Sequence, residues 1–281
     1  MLFQEFIFLI YISGHQFFLM TFFIIIPCAM ASDFNLIRLD TQESEKIYKC
    51  FLQGFLDYNL KIKPSFDDFM LFLRRNGYDD HLSFGVTYER MLVGIILNCP
   101  LISGIYSCSL SVIPKYRKGG IGKTLIGKTL SVSKPLILEC LEENKSSLSF
   151  YEKLGFEKVR CLKLYSGNVA PLSLNADEIT LSSISDNYRP SHQNTLEALE
   201  KIEVRAFSYH SAKIVFSSSG EIHLLSCPDI EDGARLLSFA SFVTGRPLSA
   251  INIDEREKDA IIAFEKVGMK AIGSQFELIK R

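Results

Sequence analysis

The chain has 281 residues, 47% of them hydrophobic, and a formal net charge of −1. That length holds two ordinary domains with real cores, and the charge balance excludes a basic nucleic-acid-binding protein. Seven cysteines with no C-x-x-C pair point to a reducing, cytoplasmic compartment, and the scattered histidines and cysteines offer no metal-ligand spacing.

Residues 1–29, "MLFQEFIFLIYISGHQFFLMTFFIIIPCA", are the discordant piece. No Lys or Arg precedes Arg38, so a signal peptide's basic region is missing, and Gly14-His15-Gln16 interrupts the apolar run that a membrane span needs. Ala29-Met30-Ala31 nonetheless has the shape of a cleavage site, and Met30 could itself be the true start. Mispredicted extension, anchor and signal all stay open, and a membrane or secretory location follows only if residues 1–29 belong to the mature protein.

From Met30 onward the pattern is regular. "NLIRLD" reads as a strand. Ser44–Leu56 and Ser65–Gly77 carry apolar residues at helical spacing, with Ser44 and Ser65 as expected caps. Leu82–Pro100 alternates as a hairpin turning at Glu89-Arg90, and Gly104–Ile113 is a further strand. The following "KYRKGGIGKT" resembles a P-loop at its end, Gly122-Lys123-Thr124, but Arg117 stands where G-x-x-x-x-G-K-[ST] requires its first glycine. Read as a strand, a glycine-rich turn and a helix start, the same segment is an anion site: first-turn amides point outward, and Lys115, Arg117, Lys118 and Lys123 add positive charge. Pro135–Leu141 then reads as a buried strand, and Asn144–Val159 as a helix stopped by Gly155 and followed by a strand.

Arg117-x-x-Gly120-x-Gly122, followed by Asn144, Ser147, Phe150, Tyr151, Glu152, Gly155 and Phe156, resembles the two diagnostic segments of the GNAT superfamily of N-acetyltransferases. The resemblance spans about residues 34 to 167, with Ser147 in place of alanine. It implies an α/β (α+β) fold: a mixed, mostly antiparallel twisted sheet flanked by helices.

The second half repeats the first. "AFEKVGMKAIG" mirrors "FYEKLGFEKV", and "EIHLLSCP" mirrors "YSCSLSVIP", at offsets of 113 and 114 residues. "GARLLSFASFVTG" and "PLSAINID" supply the helix and strand between them, "EITLSSIS" opens the copy as a strand, and "TLEALEKIEVRAF" reads as its helix. The expected division is 30–167 as an acetyl-CoA-binding catalytic domain, 168–176 as linker and 177–281 as a degenerate copy. "DIEDGARL" replaces the basic turn with carboxylates, and Phe264 replaces Tyr151.

The family resemblance implies direct transfer of an acetyl group from acetyl-CoA to a primary amine, on a small molecule or a protein. Backbone groups of Ser109, Leu110, Ser111 and Val112 would pair with the pantetheine arm. Arg117, Lys118, Gly119, Gly120, Ile121, Gly122 and Lys123 would cradle the pyrophosphate. Tyr151 would protonate the departing thiolate, and Asn144 would contact the cofactor or cap its helix. No base emerges: Glu139, Asp79, Asp80, His81 and Glu89 all read as surface charges. The rival reading is an inactive protein that binds or senses acyl-CoA.

Overall fold

The computed structural model describes residues 3–7, 21–25, 33–57, 63–184 and 189–281. In the N-terminal extension, β1 (Phe3–Ile7) and β2 (Thr21–Ile25) pair antiparallel; the rest of residues 1–29, and with it the choice among anchor, signal and late start, lies outside the described residues. Among those residues no helix is long and apolar enough to cross a membrane.

The chain continues as β3 (Phe34–Arg38), α1 (Ser44–Gly54), α2 (Phe66–Asn76), β4 (Phe84–Tyr88), β5 (Met91–Leu101) and β6 (Gly104–Val112). α2 starts where Ser65 and Asp68 form a reciprocal capping box, and it ends at Gly77, whose φ of 72° suits the left-handed stop. The expected Ser44 cap is not found: Glu43 occupies the cap position without a side-chain bond, and Ser44 is already helical. The β4–β5 turn falls at Glu89 and Arg90 as expected, both at positive φ. Then come α3 (Ile121–Val132), β7 (Leu136–Leu141), α4 (Lys145–Lys153) and β8 (Glu157–Gly167).

The second half runs β9 (Asp177–Ile179), α5 (Leu196–Leu199), β10 (Arg205–Tyr209), β11 (Ala212–Phe216), β12 (Glu221–Ser226), α6 (Ile230–Thr244), β13 (Leu248–Asp254), α7 (Lys258–Lys266) and β14 (Lys270–Lys280). Two expectations fail here. The helix expected over 195–207 is one turn, because Arg205–Tyr209 pairs with both β9 and β11 and buries Ala206 and Phe207. Strand pairing outweighed the helical spacing of Leu196, Leu199 and Ile202. The opening strand "EITLSSIS" stops at Ile179 and becomes a 3-10 turn at Leu181–Ser183.

All strands from β3 onward form one twelve-stranded sheet, ordered β3-β4-β5-β6-β7-β14-β8-β13-β12-β11-β10-β9. β14 inserts between β7 and β8, and β8 in turn lies between β14 and β13. Each half therefore lends its last strand to the other. Most neighbours are antiparallel; the exceptions are β6–β7 and β12–β13. Phe69, Leu97 and Ile95 lie in the core beneath α1 and α2, while Leu125, Leu136 and Tyr151 pack beneath α3 and α4.

Candidate active site

The parallel pair β6–β7 is joined only from Ile105 opposite Leu136 to Ser107 opposite Leu138. Beyond that point the strands part. A bulge assists the parting: Leu97 faces Ser109 and Asn98 faces Ser107, so Cys108 is the extra residue on β6. The opening is a cavity of about 680 Å³ walled by Cys108, Ser109 and Leu110 on one side and Glu139, Cys140 and Leu141 on the other. Tyr151 of α4 and Phe51, Phe69 and Phe72 of α1 and α2 also line it.

At the wide end of the gap the chain turns into α3. Lys118 and Gly120 have positive φ, 63° and 86°, and Gly120 caps the helix without a side-chain bond. Among the described residues nothing accepts from the amides of Lys118, Gly119, Gly120, Ile121, Gly122 or Lys123. A cluster of open donors at a helix N-terminus, with exposed Lys118 and Lys123 beside it, is an electrostatic seat for an anion. The glycines matter differently. A Cβ on Gly120 would touch nothing within 4 Å, leaving room for a ligand, whereas one on Gly122 would stand 3.1 Å from the Phe150 ring.

Arg117 is placed otherwise than its charge suggests. Its Nη1 and Nη2 donate to Asp57, at 2.7 and 2.9 Å, Nη2 also to the Gly54 carbonyl, and Nε to the Val112 carbonyl at 2.9 Å. Its own amide bonds Pro114. Arg117 thus ties the end of α1 to the turn and shapes the seat from outside. α1 comes close enough that a Cβ on Gly54 would clash with the Ser111 hydroxyl, which donates to the Cys50 carbonyl at 3.3 Å. Leu110 and Val112 are half-buried on the opposite face of β6. Asn144 caps α4, its Oδ1 accepting from the Ser147 amide at 3.1 Å, and also lines a 310 Å³ cleft beside Arg117.

Glu139 corrects the sequence reading. It is not a surface charge. Its Oε1 is buried with no partner among the described residues, while Oε2 accepts from Asn252 Nδ2 at 2.9 Å, Gln275 Nε2 at 3.0 Å and Gln193 Nε2 at 3.4 Å. Burial raises its pKa, the Glu277 carboxylate raises it further, and Arg160 opposes, leaving it at about 7. Ser109 Oγ, in the wall of the same cavity, is also buried and has no partner among the described residues. No spacing rule could have found this arrangement, since the donors stand 54, 113 and 136 residues from Glu139 along the chain. Of the other base candidates, Glu89 sits in the β4–β5 turn, His81 pairs with Asp40, and Asp79 caps the following turn through Leu82 N; none lines the cavity.

The corresponding places in the second half are closed. Asp229 Oδ1 accepts from the amides of Glu231 and Asp232, so a carboxylate already fills the α6 N-terminus. β12 and β13 part after Ile222 opposite Ala250, but Asn194 bonds the Ile251 carbonyl there, and the remaining hole is about 30 Å³, room for about one water. Phe264, at the place of Tyr151, is fully buried. Among the described residues no group of side chains could hold a metal ion.

A parting parallel pair, an open helix N-terminus at its mouth and flanking antiparallel strands make up this site. Residues 79–158 match the family described as acetyltransferase (GNAT) domain, a family of acyltransferases. The whole architecture is similar to three solved structures. A Pyrococcus horikoshii protein described as an acetyltransferase superposes with a TM-score of 0.68 at 13% identity, covering 88% of this chain and 89% of that one. A tandem GNAT protein from the clavulanic acid biosynthesis pathway gives 0.64 at 11%, covering 88% and 98%. A GNAT enzyme of Sphaerobacter thermophilus gives 0.62 at 12%, covering 89% and 96%. At such identities the likeness establishes the fold. A search of curated proteins finds no match.

Proposed function

We propose that this protein transfers an acetyl group from acetyl-CoA to a primary amine by direct attack, in an active site on its N-terminal half. The observation that carries the reading is the run of amides from Lys118 to Lys123, at the mouth of the β6–β7 gap, that have no acceptor among the described residues. A diphosphate is the anion that such a nest suits, and a gap lined by strand edges suits the amide-bearing arm attached to it.

The chemistry follows from the cavity wall. Glu139 Oε1 takes the proton that the amine loses as its nitrogen bonds the thioester carbon. A carboxyl held at about 7 is half ionised near neutrality, where a base works best. A β6 amide beyond the Cys108 bulge stabilises the oxygen as it gains charge. Tyr151, 8% exposed and in the same wall, gives its phenolic proton to the departing thiolate. Residues 30–167 would be the catalytic domain and 177–281 a shorter copy whose own seat Asp229 has filled. The free cysteines among the described residues, most of them buried, accord with a reducing, cytoplasmic setting.

The test is acetyl-CoA turnover by the full chain over a panel of small amines and peptide N-termini. The expected result is CoA release that depends on the amine and is lost in Glu139→Gln. Tight CoA binding with no turnover on any amine would favour an acyl-CoA sensor instead.

A further inference from the structure

The proposed base is held almost wholly by residues from outside its own half. Oε2 of Glu139 receives Asn252 of β13, Gln275 of β14 and Gln193 of the segment before α5. Gln275 also donates to Asn252 Oδ1, so the two amides orient one another. The backbone is shaped for this contact. Asn252 sits at φ 64° within a bulge of β13 between Ala250 and Ile253, a conformation that asparagine tolerates better than most residues, and it is only 2% exposed. Gln275 reaches Glu139 because β14 is the exchanged strand lying directly against β7.

A carboxylate kept for stability alone would have both oxygens satisfied. Here, among the described residues, the donors converge on one oxygen and none reaches the other, in a residue that lines the cavity. We infer that the C-terminal half completes the active site: Asn252 and Gln275, helped by Gln193, are positioning residues that pin one oxygen of Glu139 and present the other to the acceptor amine. This rests on the reading of Glu139 as base and gives the second half a part in the reaction.

The groups facing Glu139 set the sign of the expected effect. Glu277 of β14 repels the ionised form. Arg160 of β8 favours it, though it also serves Glu277 and Asp254. The Tyr106 hydroxyl of β6 favours it by hydrogen bonding, and His192, stacked on Tyr106, favours it as well. Cys108 and Cys140 line the same cavity, with Tyr151 of α4 and Lys63 ahead of α2. None of these is altered by replacing the two amides. Amide donors stabilise the ionised carboxylate, so their loss raises its pKa. One lost bond to a charged group corresponds to about one pH unit.

The experiment is a pH titration of the Glu139 carboxyl by carbon-13 NMR in the full chain labelled at glutamate Cδ, assigned with Glu139→Gln. The acid limb of kcat/KM for the best acceptor of the amine panel is followed in parallel. Asn252→Leu is expected to move both upward by about one unit, with acetyl-CoA affinity unchanged. Gln275→Met, at a half-buried strand position where a flexible apolar side chain fits, is the second variant should Asn252→Leu fold poorly. If Glu139→Gln is inactive while both variants keep the parental titration and acid limb, the positioning role is overturned and the base survives. If Glu139→Gln turns over like the parent, the base itself is refuted, and the positioning role falls with it.

Discussion

Gly120 offers the most direct test of the anion seat. It caps α3 at φ 86°, and a Cβ there would meet nothing within 4 Å. Gly120→Ala therefore carries only the left-handed backbone penalty, about 1–2 kcal/mol, read as a fall in Tm of about 2–8 °C. Because the new methyl enters open space, acetyl-CoA affinity should fall little. Gly120→Glu carries the same backbone penalty plus a carboxylate facing the diphosphate. Two unit charges about 5 Å apart at an effective dielectric constant of about 20 repel by about 3 kcal/mol. The alanine-to-glutamate difference should then exceed about 100-fold in Kd. Titration calorimetry on the parent and both variants measures it, and raising the salt should shrink the gap if the effect is electrostatic. Equal affinities for the two variants would show that no phosphate rests against this turn.

Tyr151→Phe should lower kcat by about 100-fold or more while leaving acetyl-CoA affinity near parental; unchanged turnover would return the side chain to a packing role. The rate should rise with pH through about 7, because burial keeps Glu139 protonated below that value and only the ionised form accepts a proton; a flat profile between pH 5.5 and 8 contradicts the assignment. Arg75 of α2 joins the halves, bonding Glu221 at 3.1 Å, Asn194 at 2.9 Å and the Gln193 carbonyl at 3.1 Å. Arg75→Ala leaves the partly buried Glu221 carboxylate with His223 alone and should cost about 3 kcal/mol, or about 6–12 °C in Tm. Burial opposes ionisation of Glu221, but His223 and Arg75 outweigh it and hold the pKa at about 2. That contribution is present above the carboxylate's ordinary value and is lost as pH falls towards 2, so the parent-to-variant gap in Tm should close in acid. A chain ending at residue 176 should aggregate or stay unfolded by circular dichroism, since β7 loses its neighbour β14.

What could be read from the sequence was encoded within short stretches. The Glu89-Arg90 turn, the Ser65 cap and the passage from Lys115 through Gly122 into α3 each depend on neighbours a few residues away. Tyr151 was singled out in the same way, by its place in a local motif. The proposed base was not. Glu139 in "PLILECL" is one acidic residue in an apolar strand, and only the fold brings Asn252 and Gln275 to it. Arg117 is the opposite case: its charge matched an anion site, while its side-chain partners, Asp57 and the Gly54 carbonyl, lie at and just past the end of α1, 60 and 63 residues earlier in the chain. The segment 195–207 carried two periodicities, and only pairing with β9 and β11 settled which one governs Arg205–Tyr209.

The strand exchange explains why a half whose own seat is filled stays attached. β14 pairs with β7 from Leu136 to Leu141 and with β8 along most of its length, so removing the second half takes out the middle of the first half's sheet. The exchange also places Gln275 beside Glu139, with Glu277 on the same strand and Arg160 next to it on β8. Asp254 of β13 joins this buried cluster through Arg160 and Arg256, and its side chain is fully enclosed. Buried charges need their partners fixed in place, and here the fixed partners come from both halves. β13 and β14 must keep their register against β8 and β7 for these contacts to form, a constraint that does not fall on Asp229 at the α6 terminus.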